Sequence, residues 1–477
     1  MMESREDYLW RQILCHASLF YKPEALTLLQ NTKITFTSLR EATLMRGAAI
    51  AIPTDIPYEA QPRSPYSVSF NGTQLTLWHP IAQPIGEGWR GIPEDSTTPI
   101  WYRHNSGTHI PAWNLFGTLF GLLTFQEERE LSVRDKHGRF AAIFSPRCMD
   151  NILEVPAFNE AVAVLIGACI GISKNNNAAV QLGSVIKPPV IVLSHDCDIL
   201  RGNDLWTQVI RAFRVVTPLI SGKLPHIANL WWIMRNAIRP NDFYIDTIPG
   251  MISIERMFGC NSTFYLLNGA GGRFGARSGS SILPKLIETV SHGCDVGMHY
   301  NYNTFLNVEQ FSIQRKELSS LLGYKPVAGR AHYLRFDPVR SLPFLASQGI
   351  LIDESAGYGD RTGYRCGIGG CFEAYDSVSE RALGIWELPI NVMDDTILSQ
   401  YGEDSLSAFE KLLFHLCQIG GALSILFHPE TFNNPEFSER KRFYHKILIV
   451  CRDIGCRCET ALSLYRSIPM QFKKCLN

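Results

Sequence analysis

Four apolar runs in this 477-residue sequence end on side chains that can do chemistry. Ser194, His195, Asp196, Cys197 and Asp198 follow directly on the run VIVL. In an extended strand residues i and i+2 point the same way, so Asp196 and Asp198 are a carboxylate pair able to face a metal and a substrate water together. The run DVGMHY carries His299, the stretch KPVAGRAHYLR carries Arg330, His332 and Arg335, and ALSILFH ends on His428. A solvated turn or a structural histidine accounts for any one of these taken singly. Four strand ends bearing Asp, His, Arg or His argue against coincidence.

Such ends need a scaffold that brings them together. Beyond residue 189, short apolar runs (VIVLSHD, 263 to 267, 295 to 300, 325 to 330, 350 to 354, 385 to 392 and 422 to 428) alternate with amphipathic stretches such as EQFSIQRKELSSLLG. That alternation predicts a (β/α) barrel or a doubly wound sheet, and in a barrel the chemistry sits where strands end. Residues 173–189, with three asparagines and a Pro-Pro pair, read as a linker. Residues 1–172, with glycines and prolines from 47 to 112 and a helical pattern at 113–131, read as a smaller α/β domain.

Composition closes off several classes. Lys and Arg total 45 against 45 Asp and Glu, which is no nucleic-acid footprint. With 45% hydrophobic and 19% charged residues the chain is not of disordered composition. The start, MMESREDYLWRQ, lacks the basic-then-apolar pattern of an export signal. The longest apolar stretches, 161–172 and 113–125, fall short of the roughly 18 to 20 residues of a membrane span and are expected in the core. Thirteen cysteines without a CxxC pair fit a reducing cytoplasm, and Cys451, Cys456 and Cys458 match no zinc spacing.

Other features receive plain readings. NGAGGRFGARSG misses both GxGxxG and the P-loop and is expected to be a lid or solvent loop. Asp135, His137 and Arg139 read as a turn held by local hydrogen bonds. Of Trp231, Trp232 and Trp386, at least two are expected in the core rather than on a sugar ring.

The order of these motifs resembles the polysaccharide deacetylase (NodB-homology, carbohydrate esterase 4) family over residues about 190 to 465. SHDCD is similar to a variant of that family's first motif, which implies Asp196 as general base and Asp198 as metal ligand. GMHYNYN implies His299 as a second ligand and has Asn303 where a further histidine is usual. Arg330-Ala331-His332-Tyr333 resembles the third motif, implying that Arg330 orients the base and the Tyr333 N–H serves the oxyanion site. His332 stands at a customary proline and is expected to complete the metal set. The resemblance assigns Asp353 to orient the catalytic histidine, places Ala356 where a tryptophan is usual, and makes His428 the general acid. GYRCG around Arg365, LPINVMDDT around Asp394, and the upstream segments FGLLTFQEE, DKHGRF and VPAFNEAV resemble an uncharacterised branch.

The implied fold is α/β, an irregular (β/α)7 NodB-like barrel at 190–465 preceded by the smaller α/β domain. The implied activity is a hydrolase that uses a divalent metal, zinc by expectation, to remove an N-acyl group, acetyl by expectation, from a sugar or oligosaccharide in surface-polysaccharide metabolism. A catalytically degenerate module that binds a glycan or protein is the alternative. Hydrolysis of a formyl or other linear amide would use the same residues.

Overall fold

The computed structural model describes residues 3–473, apart from 60, 62–63, 94–97, 175–180, 199–204, 223, 225–226, 239–246, 270, 273, 277–281, 292 and 433–437. In the first third, the strands β1 (Ile34–Thr37), β2 (Ala49–Pro53), β3 (Tyr66–Phe70), β4 (Thr73–Leu77), β5 (Trp89–Ile92), β6 (Trp101–His104) and β7 (Thr108–Pro111) are short and bounded by turns. They form a sheet of order β1-β2-β7-β6-β5 and a separate hairpin, β3-β4. The helices Arg5–Phe20, Leu115–Leu123 and Ala157–Lys174 accompany them. Leu115–Leu123 is buried at every position, and it was one of the two apolar stretches too short for a membrane span.

The second part begins with β8 (Val190–Cys197), buried throughout. A parallel strand covered on both faces reads as a continuous apolar run, which is what VIVL is. Parallel neighbours follow as β9 (Ser262–Leu267), β10 (Asp295–Tyr300), β11 (Ala328–Ala331) and β12 (Ile352–Asp353). Antiparallel β13 (Phe372–Asp376) and β14 (Arg381–Glu387) come next, then β15 (Val392–Met393), β16 (Ala422–Leu426) and β17 (Arg457–Glu459).

β14 pairs in parallel with β12, whereas β15, after four intervening residues, pairs in parallel with β16. One interrupted strand therefore bridges both edges and closes the sheet, with the backbone N–H of Leu388 donating to Asp353 and that of Asn391 to Ser424. Pro389, which has no N–H to donate, sits in the interruption. Counting that strand once gives the seven-stranded irregular α/β barrel expected, and its seven strands are the seven apolar runs.

The two parts share one hydrophobic cluster that runs from Tyr8 and Leu9 through Phe158 to Phe372 and Leu416. Charged and polar contacts seal the junction. Tyr8 Oη donates to the Glu373 carbonyl at 2.6 Å, Arg365 meets Glu128 through two N–H donors at 2.6 and 2.7 Å, and Asn159 Nδ2 donates to the carbonyls of Gly369 and Gly420. Of the stretch read as a linker, 175–180 lies outside the described residues. Its far end is pinned: Lys187 N donates to Phe20 O, and Lys187 Nζ to Ser18 O at 2.8 Å. Among the described residues no helix is long and apolar enough to cross a membrane.

Candidate active site

Alternation along β8 sorts the first motif onto two faces. Ser194 and Asp196 point into the barrel, where both meet Arg330. His195 points the other way, its Nδ1 on the Phe427 carbonyl and its Nε2 on Glu255 of the helix Ile248–Met257, each at 2.8 Å. The only histidine in the motif is thus a tie between strand and helix.

Arg330, fully buried on β11, is the hub of the interior. Nη1 donates to Asp196 Oδ1 at 2.7 Å, Nη2 to Ser194 Oγ at 2.6 Å, and Nε to the Glu354 carbonyl at 3.2 Å. Its guanidinium lies 4.5 Å from the centre of the Tyr265 ring, and Tyr265 Oη donates to Glu354. Burial alone would lower the arginine's pKa, but Asp196 and Glu354 outweigh it and raise it. Asp196 is held by a permanent cation.

Asp198 stands just past the end of β8 and meets two imidazoles. His299 Nε2 is 2.9 Å from Asp198 Oδ1, and His332 Nε2 is 3.4 Å from Asp198 Oδ2. His299 Nδ1 is spent on the Arg330 carbonyl at 3.0 Å, which turns Nε2 toward the aspartate. Despite the short separation, Asp198 Oδ1 and His299 Nε2 make no aligned hydrogen bond, and His332 Nδ1 is buried without one. The three residues each offer a ligand atom within 4.8 Å of the others. Asp198 Oδ1 and His299 Nε2, buried without an aligned hydrogen bond, and the His332 ring beside the same carboxylate make a donor set of one carboxylate and two imidazoles that fits a divalent cation of the zinc type. Burial pushes the Asp198 carboxyl up, but His332 and His299 outweigh it and hold it well below the usual carboxylate range. Asn303, the position of the missing histidine, lies exposed in a 3-10 turn.

Tyr333 follows His332 with left-handed backbone angles, φ 60° and ψ 15°. A non-glycine residue in that region is held there by its surroundings. Arg139 supplies one restraint by donating from Nη1 to the Tyr333 carbonyl at 2.8 Å, while its own Nε sits on Asp135 at 2.8 Å. Asp135 Oδ1 also accepts from the backbone N–H of His137 and Arg139, so the local turn read from sequence exists. It additionally delivers Arg139 to the cleft that Asp196, Asp198, Tyr333, Leu334 and His428 line.

The partner of His428 is not the residue expected. Asp394 Oδ1 lies 2.8 Å from His428 Nδ1, and Asp394 Oδ2 accepts from the His428 backbone N–H at 3.1 Å. The pairing register explains it: Met393 lies opposite Leu426, so the residues just beyond, Asp394 and His428, meet. Burial raises the Asp394 carboxyl, but His428 and then Arg440 outweigh it and bring it below its ordinary value. Arg440 reaches both Asp394 and Asp395. Asp394, Asp395 and His428 are also close enough to share a cation, and Arg440 already pairs with both carboxylates there.

Asp353, assigned to that role from the resemblance, is a correction. It is fully buried on β12, accepts from the Ser355 N–H and Oγ at 3.0 and 3.1 Å, and faces Glu387 and Tyr300. Burial raises both acids, Glu387 well above its usual range, so the pair keeps a proton. Glu387 Oε1 also accepts from the Ala356 N–H at 2.8 Å.

The remaining sequence candidates sort simply. Trp386 is buried, Trp231 is partly exposed, and the side chain of Trp232 lies outside the described residues. Of the glycine-rich stretch, residues 270, 273 and 277–281 lie outside them too. Phe274 within it packs its ring 5.1 Å from that of His137 and 5.4 Å from that of Tyr333. Cys451, Cys456 and Cys458 are not among the described groups able to share a metal.

Sequence reasoning missed Asp394 and Arg139 as parts of the cleft. An acid directly after a short apolar run was the available signal for the first, and Arg139 had none.

No protein-family model matches the chain, and no curated protein matches it. Solved structures do resemble it. A putative polysaccharide deacetylase from Mycobacterium smegmatis aligns with 60% of this chain and 92% of its own at 15% identity, TM-score 0.40. A probable polysaccharide deacetylase from Pseudomonas aeruginosa PAO1 aligns with 58% and 90% at 13% identity, TM-score 0.38. The Puue allantoinase aligns with 58% and 89% at 11% identity, TM-score 0.38. The solved structures this chain resembles thus include several polysaccharide and peptidoglycan deacetylases, at low identity and over about 60% of its length.

Proposed function

We propose that the chain is a metal-dependent amide hydrolase that removes an N-acyl group, acetyl in the first instance, from a sugar or oligosaccharide of surface-polysaccharide metabolism. One observation carries the reading. An arginine-held carboxylate, Asp196, stands beside the Asp198, His299 and His332 group, and the Asp394–His428 pair lines the same cleft. A divalent cation held by Asp198, His299 and His332 would supply Lewis-acid activation of water and of the amide carbonyl.

The chain's own residues do the rest. Asp196, fixed by its hydrogen bond from Arg330, accepts the proton of the attacking water. The Tyr333 backbone N–H, in its restrained left-handed turn, serves the developing oxyanion. His428 has its Nδ1 engaged by Asp394, so the proton it gives to the leaving amine is carried on Nε2. Asp394 takes the orienting role first given to Asp353.

The binding-module alternative drew its support from Asn303 and Ala356; on this reading His332 supplies the third donor that Asn303 does not, and the departure at Ala356 stands. Residues 1–172 are proposed as an accessory domain, and the barrel domain as 190–465. Their shared core supports a structural role for the first, to which Arg139 adds a contact in the cleft. The cytoplasm is proposed as compartment, in line with thirteen scattered cysteines that form no CxxC pair.

The test is acetate and formate release from a panel of N-acylated sugars, with and without chelator, alongside metal analysis of the purified protein. Acyl release that chelator abolishes and zinc restores is expected, with Asp198→Asn losing metal and Asp196→Asn keeping it. Full metal occupancy without turnover of any amide would favour the binding module.

A further inference from the structure

Tyr333 and Leu334 follow β11 with consecutive left-handed backbones, φ 60° and φ 48°. L side chains adopt that region rarely and at a cost, so each residue needs something to keep it there. Leu334 has its own anchor, a side chain buried with Ile390 and Leu426. Tyr333 is held from the first part of the chain. Arg139 Nη1 donates to its carbonyl, and the His137 ring lies 5.0 Å from the Tyr333 ring at an interplanar angle of 34°. Both residues belong to one turn, residues 135–139.

That turn is closed on itself. The Asp135 N–H donates to the Arg139 carbonyl and the Gly138 N–H to the Asp135 carbonyl, each at 2.9 Å. Asp135 Oδ1 accepts from the N–H groups of His137 and Arg139, and Oδ2 accepts from Arg139 Nε, which fixes the direction of the guanidinium. The residues just beyond are tied to the barrel, with Asp360 accepting from the N–H groups of Ala142 and Ile143 at 2.9 and 3.2 Å. The barrel also leaves the path open. A Cβ on Gly359 would lie 2.7 Å from Arg139 Nη1, so a side chain there would push the guanidinium off its place.

We propose that residues 135–139 set the oxyanion site of the barrel, with Arg139 as the positioning residue. This rests on the role given to the Tyr333 N–H under Proposed function, and it gives the first part of the chain a task in the reaction beyond sharing a core. The reason is geometric. The angle φ is the rotation about the bond from that nitrogen to its Cα, so a Tyr333 that relaxes to negative φ re-aims its N–H relative to the chain on either side. Ala331 is fixed in β11 and Leu334 by its apolar contacts, which leaves the peptide between them to turn. Misplacement by about 1 Å at a reacting centre lowers a rate by about 10²-fold. The charge of Arg139 is answered by Asp135, so its part is to hold a peptide and not to attract an anion.

Full-length Arg139→Met, Arg139→Lys and Asp135→Asn are compared with the parent. The crystal structure of Arg139→Met is expected to show Tyr333 at negative φ, with Tm and zinc content as in the parent. On an N-acetyl sugar that the parent deacetylates, kcat should fall about tenfold to a hundredfold while KM stays within about twofold. Arg139→Lys keeps a donor for the carbonyl and should recover most of kcat. Asp135→Asn keeps an oxygen for the two backbone N–H groups but frees the guanidinium, and should lose about threefold to tenfold. A raised KM at unchanged kcat would make Arg139 a substrate contact and overturn the proposal. Tyr333 staying near φ 60° in Arg139→Met would overturn it as well, as would a loss of zinc that accounts for the lost rate. If Arg139→Met does not fold, Asp135→Asn decides by the same structure and kinetics. A parent that turns over no amide is a failure of the enzyme reading, and the φ of Tyr333 in the variants still decides whether the turn holds it.

Discussion

Two pairs of acids lie in one barrel and have opposite fates. Asp196 and Glu354 converge on Arg330, whose guanidinium serves both. Asp353 and Glu387 face each other across β12 and β14 with hydroxyls and backbone N–H groups for company. Both pairs are out of solvent. The first has Arg330 for counter-charge; the second pairs with no cation among the described residues, and burial raises both of its acids. A base candidate paired with a cation therefore comes from the first pair, and strand-end position alone does not reveal which acid that is.

Removing the cation should have the largest effect. Arg330→Met leaves Asp196 and Glu354 buried without their counter-charge, and breaking a buried pair in this way costs about 3–5 kcal/mol. Chemical denaturation should show that loss and its partial recovery in Arg330→Met, Glu354→Gln. Asp196→Asn keeps the fold and the hydrogen bond from Arg330, and should lower turnover by ~10² to 10⁴ at unchanged metal content. Metal loss there equal to that of Asp198→Asn would dissolve the distinction between base and ligand.

A smaller effect separates the two aspartates proposed for His428. The Asp394 carboxylate favours the charged ring, so Asp394→Asn should shift the alkaline limb of the rate profile to lower pH. Asp353→Asn should leave that limb in place, and a shift of equal size in both would reinstate Asp353. The smallest effect concerns the protonated pair. The folded pKa of Glu387 is raised above its unfolded value, so the stability it contributes is complete below that unfolded value and is lost as pH rises toward the folded one. Glu387→Gln removes this decline, at most about 1.4 kcal/mol per pH unit within the window. Denaturation midpoints of parent and variant should diverge from pH 5 to pH 8 in the variant's favour, and parallel curves would show that the pair carries no proton.

How far the sequence could be read follows from what each feature depends on. The seven barrel strands were legible because strands covered on both faces are apolar along their whole length. Even the interrupted one appeared as a single run, IWELPINV. Asp196, Asp198, His299, Arg330 and His332 were legible because each ends or closely follows such a run. Asp394 failed because its pairing with His428 is a consequence of the Met393–Leu426 register, which no local pattern encodes. Arg139 failed for the same reason at longer range, since 194 residues separate it from Tyr333.

The helix Arg5–Phe20 packs on helices of the first part and also reaches β13, where its Tyr8 bonds a strand residue 365 positions further along the chain. Ribosomes add about 5–20 residues per second, so this helix emerges roughly 20 to 70 s before its strand partner exists. During that interval the side of Tyr8 that will meet β13 is uncovered, while the helices of the first part already offer the rest of the helix a surface, which makes the start of the chain a client for a holdase only until β13 is made. A barrel translated from residue 190 would meet the complementary problem: β13 and the glycine turn at 367–370 would present their uncovered side to water, and aggregation of that fragment is the expected result.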